Sequence, residues 1–523
     1  MIEPFWWWTD EQKQFAKEVD EFANKYISKA EEAYWAKRIP WDIMKIIGDK
    51  GYMGAGVPKE YGGLDLGATG CCIVSEALGR LYAAVHLFGV TMLGGLHQLI
   101  VFGTEDQKQK YLRQIAEGKS LGAVCITEVF AGSDAANVYT TAEKEGDYWI
   151  INGKKRFITS AGSASRYFVY VKTSDDENDR RQYHHLTSFI IERGTKGFTL
   201  EKINDLISFD NVPNGYLDFD DVKIPDSQRI GGIGQGWQVM MAGLNFERLV
   251  AAAGFGGVFS DTIKMVAYYM ERRVQFKSRV KRFTNLQFKF ADLVSKFYTS
   301  RVLAYHSAYL LDHAKELKQT EMDLAVWASI AKLFTSEATL FIGNNAVQMT
   351  GGDGLTRFYS LQRLIRDAKI GETAAGTSDI QRMIISRIMF QNKDFIDFPY
   401  RFKIHPKMGV PIMTSEPSPW EGKEINRENL LKILAEDYKC NPGLFMTIDD
   451  LRKITKGKRK VIYEVLEQLE KDGFIVTLRG RDDKIIIAKA NYKGLKKAYP
   501  KEFYRWFPEW IKEDEFVMDM TKF

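Results

Sequence analysis

The chain has little of what marks an extracellular or metal-bound protein. Four cysteines occur in 523 residues: Cys71, Cys72, Cys125 and Cys440. Adjacent Cys71 and Cys72 do not pair easily and no C-x-x-C spacing marks a zinc site, so a disulfide framework is excluded, no metal is expected, and a reducing, cytoplasmic setting is expected. Excess charge is scarce too. A formal balance of +5 does not by itself call for an anionic partner. The most apolar stretch, residues 83–102, is interrupted by His86, His97 and Gln98 and loosened by Gly89, Gly94 and Gly95. It reads as a buried helix, and no membrane span is expected. The first ten residues lack a basic region and a small-residue cleavage site, so no signal peptide is expected.

What remains is ordinary globular composition, 45% hydrophobic and 27% charged, on a chain long enough for several packing units. Residues 9–118 carry helical patterns, with Phe15, Val19, Phe22, Ala23 and Tyr26 at three-and-four spacing along 11–33. Further helices are expected at 42–50, 68–82, 85–101 and 106–117. The texture then changes to short β-branched runs at 124–127, 148–151, 167–171, 188–191 and 216–219, with turn residues such as Glu145-Gly146-Asp147 and Asn152-Gly153 between them. Long helical periods return at 239–272, 284–317, 323–350 and 378–390, the pattern of a bundle. Pro399, Pro406, Pro411, Pro417 and Pro419 then crowd one segment, which reads as a linker without regular structure. Beyond it come helices at 427–438, 448–454 and 459–472 and strands at 474–478 and 484–488, a winged-helix pattern. The expected class is α+β: an N-terminal helical domain (1–120), a central antiparallel β domain (121–232), a four-helix bundle (233–395), a Pro-rich linker (396–425), and a winged-helix-like domain with an aromatic tail (426–523).

Several stretches carry chemistry. In Cys125-Ile126-Thr127-Glu128 followed by Ala131-Gly132-Ser133-Asp134, Gly132 lets backbone approach a phosphate and Ser133 offers a hydroxyl and an amide. Asn152-Gly153-Lys154-Lys155-Arg156-Phe157-Ile158-Thr159-Ser160 contains a good hairpin turn and, at Phe157, a flat apolar surface. Arg273-Val274-Gln275-Phe276 and Gln348-Met349-Thr350-Gly351-Gly352 follow long helices. Arg366-Asp367-Ala368-Lys369-Ile370 leads into Ala374-Ala375-Gly376-Thr377-Ser378-Asp379. Glu247 lies in Leu244-Asn245-Phe246-Glu247-Arg248-Leu249-Val250, where apolar neighbours would raise its pKa.

In this order, over residues 9–390, these stretches resemble the acyl-CoA dehydrogenase family. The resemblance implies FAD as cofactor. Ile126, Thr127, Phe157 and Thr159 would meet the flavin ring and Gly132 and Ser133 the pyrophosphate. Arg273, Phe276, Gln348 and Gly352 would meet the FAD of a neighbouring subunit, with Thr377 and Asp379 completing the cofactor set. It therefore implies a homodimer or homotetramer. Phe157 stands where the family has tryptophan, and Lys277 and Thr284 replace its glycine and glutamine. Ala375 occupies the position where many relatives carry the catalytic glutamate. Glu247 matches the earlier-helix position used in the isovaleryl-CoA and long-chain branches, and is the expected base.

The implied reaction is α,β-dehydrogenation of an acyl-CoA to the 2,3-enoyl-CoA. Glu247 would take the α-proton, FAD N5 the β-hydride, and the Ala375 N–H would meet enolate charge. Arg248 would support the site, and Ser133, Asn245 and Arg248 would touch the CoA ester. An electron-transferring flavoprotein is the implied electron acceptor. Two other readings stay open: a relative with changed chemistry, such as a desulfinase or flavin oxidase, and a flavin-binding scaffold or regulator. In the C-terminal domain Lys456, Lys458, Arg459, Lys460, Arg479 and Arg481 occupy DNA-facing places, but Glu464, Glu467, Glu470 and Asp472 share the helix. A protein-docking role is expected there rather than DNA binding.

Overall fold

The computed structural model describes residues 2–81, 94–209, 211–396, 401–405, 407–408, 410–480, 482–501 and 503. Residues 82–93 of the apolar stretch, Pro399, Pro406, Arg481 and the tail from Tyr504 onward lie outside the described residues. The chain divides into two units, Met1–Gln391 and Asn392–Phe523.

In the first unit, α1 (Asp10–Trp35) starts at a reciprocal cap: the Gln12 N–H donates to Thr9 Oγ1 and the Thr9 N–H to Gln12 Oε1, both at 3.1 Å. It buries the expected face of Phe15, Val19, Phe22 and Ala23. Helices α2 (Trp41–Asp49), α3 (Gly67–Gly79) and α4 (Leu96–Phe102) follow. The helix expected at 106–117 is a run of three pieces, Glu105–Gln107, Lys108–Leu112 and Arg113–Ala116, the middle one π-helical.

The β domain holds β1 (Gly122–Cys125), β2 (Thr141–Glu145), β3 (Tyr148–Thr159), β4 (Arg166–Lys172), β5 (Leu186–Glu192), β6 (Phe198–Ile203), β7 (Asn214–Pro225) and β8 (Arg229–Ile230). Their order is β6-β7-β3-β2-β4-β5-β8, with β1 beside β4. The expected antiparallel sheet is in fact mixed: β1 runs parallel to β4, and β2 meets β4 in parallel at Thr141 and Lys172. Strand β1 enters straight from the helical domain and reaches β4 only after a long connection, which parallel pairing requires. Asn152-Gly153 is not the turn. The hairpin closes at Gly146-Asp147, between paired Glu145 and Tyr148, and Asn152 instead donates its amide to Asp221 across a bulge (3.0 Å). Strands β2, β6 and β8 escaped the sequence pattern because they are short or largely exposed on one face. In β4, alternate residues face opposite ways. Phe168 and Tyr170 join the helical core with Val239 and Met240, while Tyr167, Val169 and Val171 pack inside the sheet domain.

The helices after the sheet are α5 (Gly236–Arg272), α6 (Thr284–Asp312), α7 (Glu321–Thr350), α8 (Leu361–Thr373) and α9 (Ser378–Gln391). Helix α8 corrects the four-helix expectation. Leu361, Leu364 and Ala368 give it an apolar stripe among charged residues, and that stripe is too short to stand out from the motif it contains. Glycines on both helices let α3 and α5 approach closely: a Cβ at Gly79 of α3 would lie 2.1 Å from the Gly254 oxygen, and one at Gly257 of α5 1.9 Å from the Glu76 oxygen. Among the described residues two helices are long and apolar enough to cross a membrane, α5 and α7, and both are mostly buried within the fold.

In the second unit, a hairpin of β9 (Arg401–Ile404) and β10 (Pro411–Thr414) replaces the expected unstructured linker. Pro411 begins its strand, where a missing N–H is tolerated. Then come α10 (Arg427–Cys440), β11 (Met446–Thr447), α11 (Ile448–Thr455), α12 (Arg459–Lys471), β12 (Ile475–Arg479), β13 (Ile485–Ala490) and α13 (Tyr492–Ala498). The strands pair in the order β11-β13-β12. Their core is separate and includes Leu430, Leu434, Leu451, Ile462, Leu466 and Ile485.

Beneath the α3–α5 crossing, buried Arg301 donates to Glu76 Oε1 (2.7 Å) and the Tyr305 hydroxyl to Glu76 Oε2 (2.7 Å). Glu76→Ala leaves a buried guanidinium without its counter-charge. It should cost about 3–5 kcal/mol, read as a fall in the denaturant midpoint.

Candidate functional site

Helix α5 brings Asn245, Glu247 and Arg248 against the segment that joins α8 to α9. Buried Arg248 donates from Nε to the Ala375 oxygen (3.1 Å) and from Nη1 to Asn245 Oδ1 (3.0 Å). From α9, fully buried Gln381 donates to the same Ala375 oxygen (3.2 Å) and to the Gly376 oxygen (2.8 Å). From α7, Lys332 donates to the Gly376 oxygen (2.9 Å) and the Glu372 oxygen (3.2 Å). Three buried side chains thus hold two successive carbonyls. They keep Ala375 at φ 54, a left-handed conformation that costs an alanine about 1–2 kcal/mol. The Ala375 N–H donates to no group among the described residues.

Glu247 forms no hydrogen bond or ion pair among the described residues. It keeps some accessible surface, yet it lies deep enough that burial dominates its chemistry. Burial pushes its carboxyl up from 4.5 to about 7, against the opposing pull of Arg248 and Lys332. Burial also lowers Arg248 to about 10. Tyr170 from β4 faces the same place, and its hydroxyl is raised by burial first and by Glu247 among the charges. A cavity runs beside α5, lined by His97, Asn245, Phe246, Leu249, Ser307 and Leu324 among others. His97 stacks on Phe246 (5.2 Å, 8°) and is kept neutral by burial, its pKa down at about 4.

The sheet supplies a second wall. Fully buried Lys155 donates to Glu128 Oε1 (2.6 Å), to the Tyr170 oxygen (2.7 Å) and to the Ile126 oxygen (3.1 Å). Glu128 also accepts from the Tyr139 N–H (2.5 Å) and the Thr140 hydroxyl (2.6 Å). This buried pair ties the 126–140 loop to β3 and β4, and so ties Thr127, Gly132 and Ser133 to the strand whose Tyr170 faces Glu247. Phe157 sits on the β3 bulge at φ 57 and is 48% exposed, presenting its ring outward. Asn214 fixes it by donating to the Phe157 oxygen (3.0 Å) and to Thr159 Oγ1 (3.3 Å).

These residues fit a flat cofactor with a phosphate arm. Around Gly132 an added Cβ would meet nothing within 4 Å, which leaves its backbone open to a ligand. Among the described residues Ser378 Oγ, Gln381 Oε1 and Arg156 Nε are buried without partners, as groups awaiting a hydrogen-bonding ligand are. The structure does not gather every expected residue. Arg273, Phe276, Gln348 and Gly352 lie exposed on the bundle surface, Phe276 at 91%. Two of them are drawn together: Tyr269, which accepts from the Arg273 N–H (2.9 Å), donates its hydroxyl to Asp353 beside Gly352 (2.8 Å). Asp379 is exposed and accepts from Arg382 (3.2 Å). Lys332 and Gln381 had no sequence signal, and Lys155 was visible only as a motif letter.

Three family models match in order: the acyl-CoA dehydrogenase N-terminal domain over residues 9–119, the middle domain over 123–222 and the C-terminal domain over 234–390. The chain is 33% identical over 383 residues to an acyl-CoA dehydrogenase of Bacillus subtilis (strain 168), spanning 73% of this chain and 98% of that one. It is similar in structure to butyryl-CoA dehydrogenase from Megasphaera elsdenii, with a TM-score of 0.69 and 30% identity over 75% of this chain and all of that one. It is also similar to the FAD complex of PigA, with a TM-score of 0.68 and 26% identity over 74% and 98%.

A carboxyl raised from 4.5 to about 7 binds more protons folded than unfolded, so it costs stability as pH rises through that interval, and the cost is full above it. Glu247→Gln removes it. The variant should gain on the order of 1–3 kcal/mol relative to wild type at pH 8 compared with pH 4, measured by chemical denaturation at both pH values.

Proposed function

Because this chain belongs to the acyl-CoA dehydrogenase family, a family of flavin-dependent oxidoreductases, we propose that it converts an acyl-CoA thioester to the 2,3-enoyl-CoA with Glu247 as the base. The observation that carries this reading is the unpartnered Glu247 carboxyl, whose pKa near 7 suits proton abstraction at neutral pH. A relative of changed chemistry that lacks a base, such as a desulfinase, would leave that carboxyl without a role.

FAD is the cofactor that these residues fit, and when bound it would supply the acceptor for the hydride leaving the β-carbon. The chain does the rest. Glu247 takes the α-proton onto a carboxylate oxygen as the Cα–Cβ double bond forms. The free Ala375 N–H donates to the thioester oxygen as it gains charge, a task that needs no side chain. Arg248 and Gln381 hold the Ala375 carbonyl and so orient this segment. Thr127, Ile126, Phe157 and Thr159 would border the ring, Gly132 and Ser133 the phosphates. Thr377 and Asp379 would lie at the cofactor's edge. Asn245, whose amide oxygen is held by Arg248, lines the cavity beside α5 and, with Arg248 and Ser133, would touch the CoA ester.

The exposed group of Arg273, Phe276, Gln348 and Gly352 would complete the cofactor site of a second subunit, in a homodimer or homotetramer. An electron-transferring flavoprotein would accept the electrons. A reducing, cytoplasmic setting accords with four free cysteines.

We read the second unit as a winged-helix-like module for protein docking. Among the described residues of the wing, Arg479 pairs with Glu470 and Asp483, and Lys484 with Asp482 (2.8 Å). Leu478 and Ile486 stand exposed on the same hairpin. Fluorescence polarisation with duplex DNA at low salt should show no binding with the steep salt dependence of phosphate contacts.

Anaerobic mixing with a panel of acyl-CoAs should bleach the flavin absorbance for the true substrate. Glu247→Gln should keep the flavin and slow the bleaching about 10²- to 10⁴-fold. Retention of the wild-type rate would remove Glu247 as the base.

A further inference from the structure

Helix α7 carries a lysine where its position in the fold offers no water. Lys332 is 5% exposed, and its ammonium donates to the Gly376 oxygen (2.9 Å) and the Glu372 oxygen (3.2 Å). No carboxylate forms an ion pair with it among the described residues. A buried ammonium without a direct counter-ion is costly, and a neutral donor would hold two carbonyls at less expense. The charge therefore calls for its own account.

We propose that Lys332 is a positioning residue of the proton-abstraction site: it anchors the Ala375–Gly376 backbone and supplies, with Arg248, a second buried positive charge facing Glu247. The inference rests on Glu247 being the base. Two separable effects follow from one side chain. The hydrogen bonds to Gly376 and Glu372 oxygens fix the segment whose Ala375 N–H faces the substrate. The charge opposes the burial that would otherwise hold Glu247 protonated at neutral pH.

The charged groups facing Lys332 are Arg248 and Glu247 from α5, Glu372 from α8 and Glu337 from α7 itself. Burial first, and Arg248 next, lower its pKa to about 8, while the three carboxylates oppose them. Those facing Glu247 are Arg248, Lys332 and the Tyr170 hydroxyl. The base and the lysine thus titrate as a coupled pair in neighbouring pH ranges. Arg248, with its pKa at about 10, stays charged throughout them.

The test uses the flavin-loaded full chain with isotope-labelled glutamate. The infrared band of the protonated Glu247 carboxyl is identified as the one lost in Glu247→Gln. Lys332→Gln keeps a donor for the Gly376 oxygen and removes the charge. Its band midpoint should rise by about one pH unit, and the acid limb of the flavin-reduction profile should rise with it. Lys332→Arg keeps the charge at every pH, so the midpoint should stay within a few tenths of a unit. In wild type, loss of the Lys332 proton should give an inflection near pH 8 that Lys332→Arg abolishes, and this arm survives even if Lys332→Gln does not fold. A uniform loss of rate in Lys332→Gln with an unmoved midpoint, or a pH 8 inflection that persists in Lys332→Arg, overturns the proposal. Full activity of Glu247→Gln would instead overturn the assignment of the base, whatever the infrared band does.

Discussion

The site depends on a largely buried carboxylate that makes no hydrogen bond among the described residues. Desolvation alone favours the neutral acid by more than Arg248 and Lys332 can offset, and the balance settles Glu247 near 7. Each unit of that shift is about 1.4 kcal/mol of preference between the two forms. The cations therefore tune the acid and do not neutralise it. Counted with Glu247 ionised, the group carries one net positive charge. In the proposed reaction, where Glu247 would take a proton as negative charge develops on a thioester oxygen, that total would stay the same. Charge would move over a short distance with no counter-ion imported, which is what a preorganised low-dielectric site supplies.

Backbone rather than side chain connects this group to its surroundings. Arg248, Gln381 and Lys332 come from three different helices and end on two adjacent carbonyls. The left-handed Ala375 is held from outside, so its own side chain has no structural duty. An alanine therefore suffices at this position, and its N–H stays in place whatever the side chain. The sheet adds its wall by the same device: Lys155 ends on two carbonyls and one carboxylate, and through the Tyr170 oxygen it links the Thr127 loop to the strand that faces Glu247.

How far the sequence disclosed this depends on whether the signal was local. Glu247 could be read as a buried acid because Leu244, Phe246, Leu249 and Val250 surround it in sequence, and the long α5, α6 and α7 declare their period. Lys332 could not. It lies among Ala331, Leu333 and Ala328, and its partners, the Glu372 and Gly376 oxygens and the charges of α5, come from distant parts of the chain. Helix α8 was hidden by its brevity and charge, and β6 by an almost wholly exposed face. The parallel pairing of β1 with β4 depends on a connection of some forty residues, over which no periodicity speaks. Asn152-Gly153 misled for the opposite reason. Its local turn chemistry is strong, but Thr140 packs against Gly153 and Asn152 bonds Asp221, so the strand runs on through a bulge.

The second unit shows the same rule applied to charge. On paper Arg479 is a wing arginine free to meet phosphate. In the fold it sits against Glu470, with Glu467 and Asp483 near by, and the Thr477 hydroxyl also donates to Glu470. Phosphate would have to displace carboxylates already in place, giving up existing pairs for new ones of the same kind. Little net attraction remains after that exchange, since most of the affinity of such contacts comes from releasing counter-ions around unpaired cations. The apolar Leu478 and Ile486 on the same hairpin have no comparable internal partner. Among the described residues of this hairpin the cations are paired and the two aliphatic groups stand exposed, which supports the proposed reading of a protein-docking face over a polyanion site.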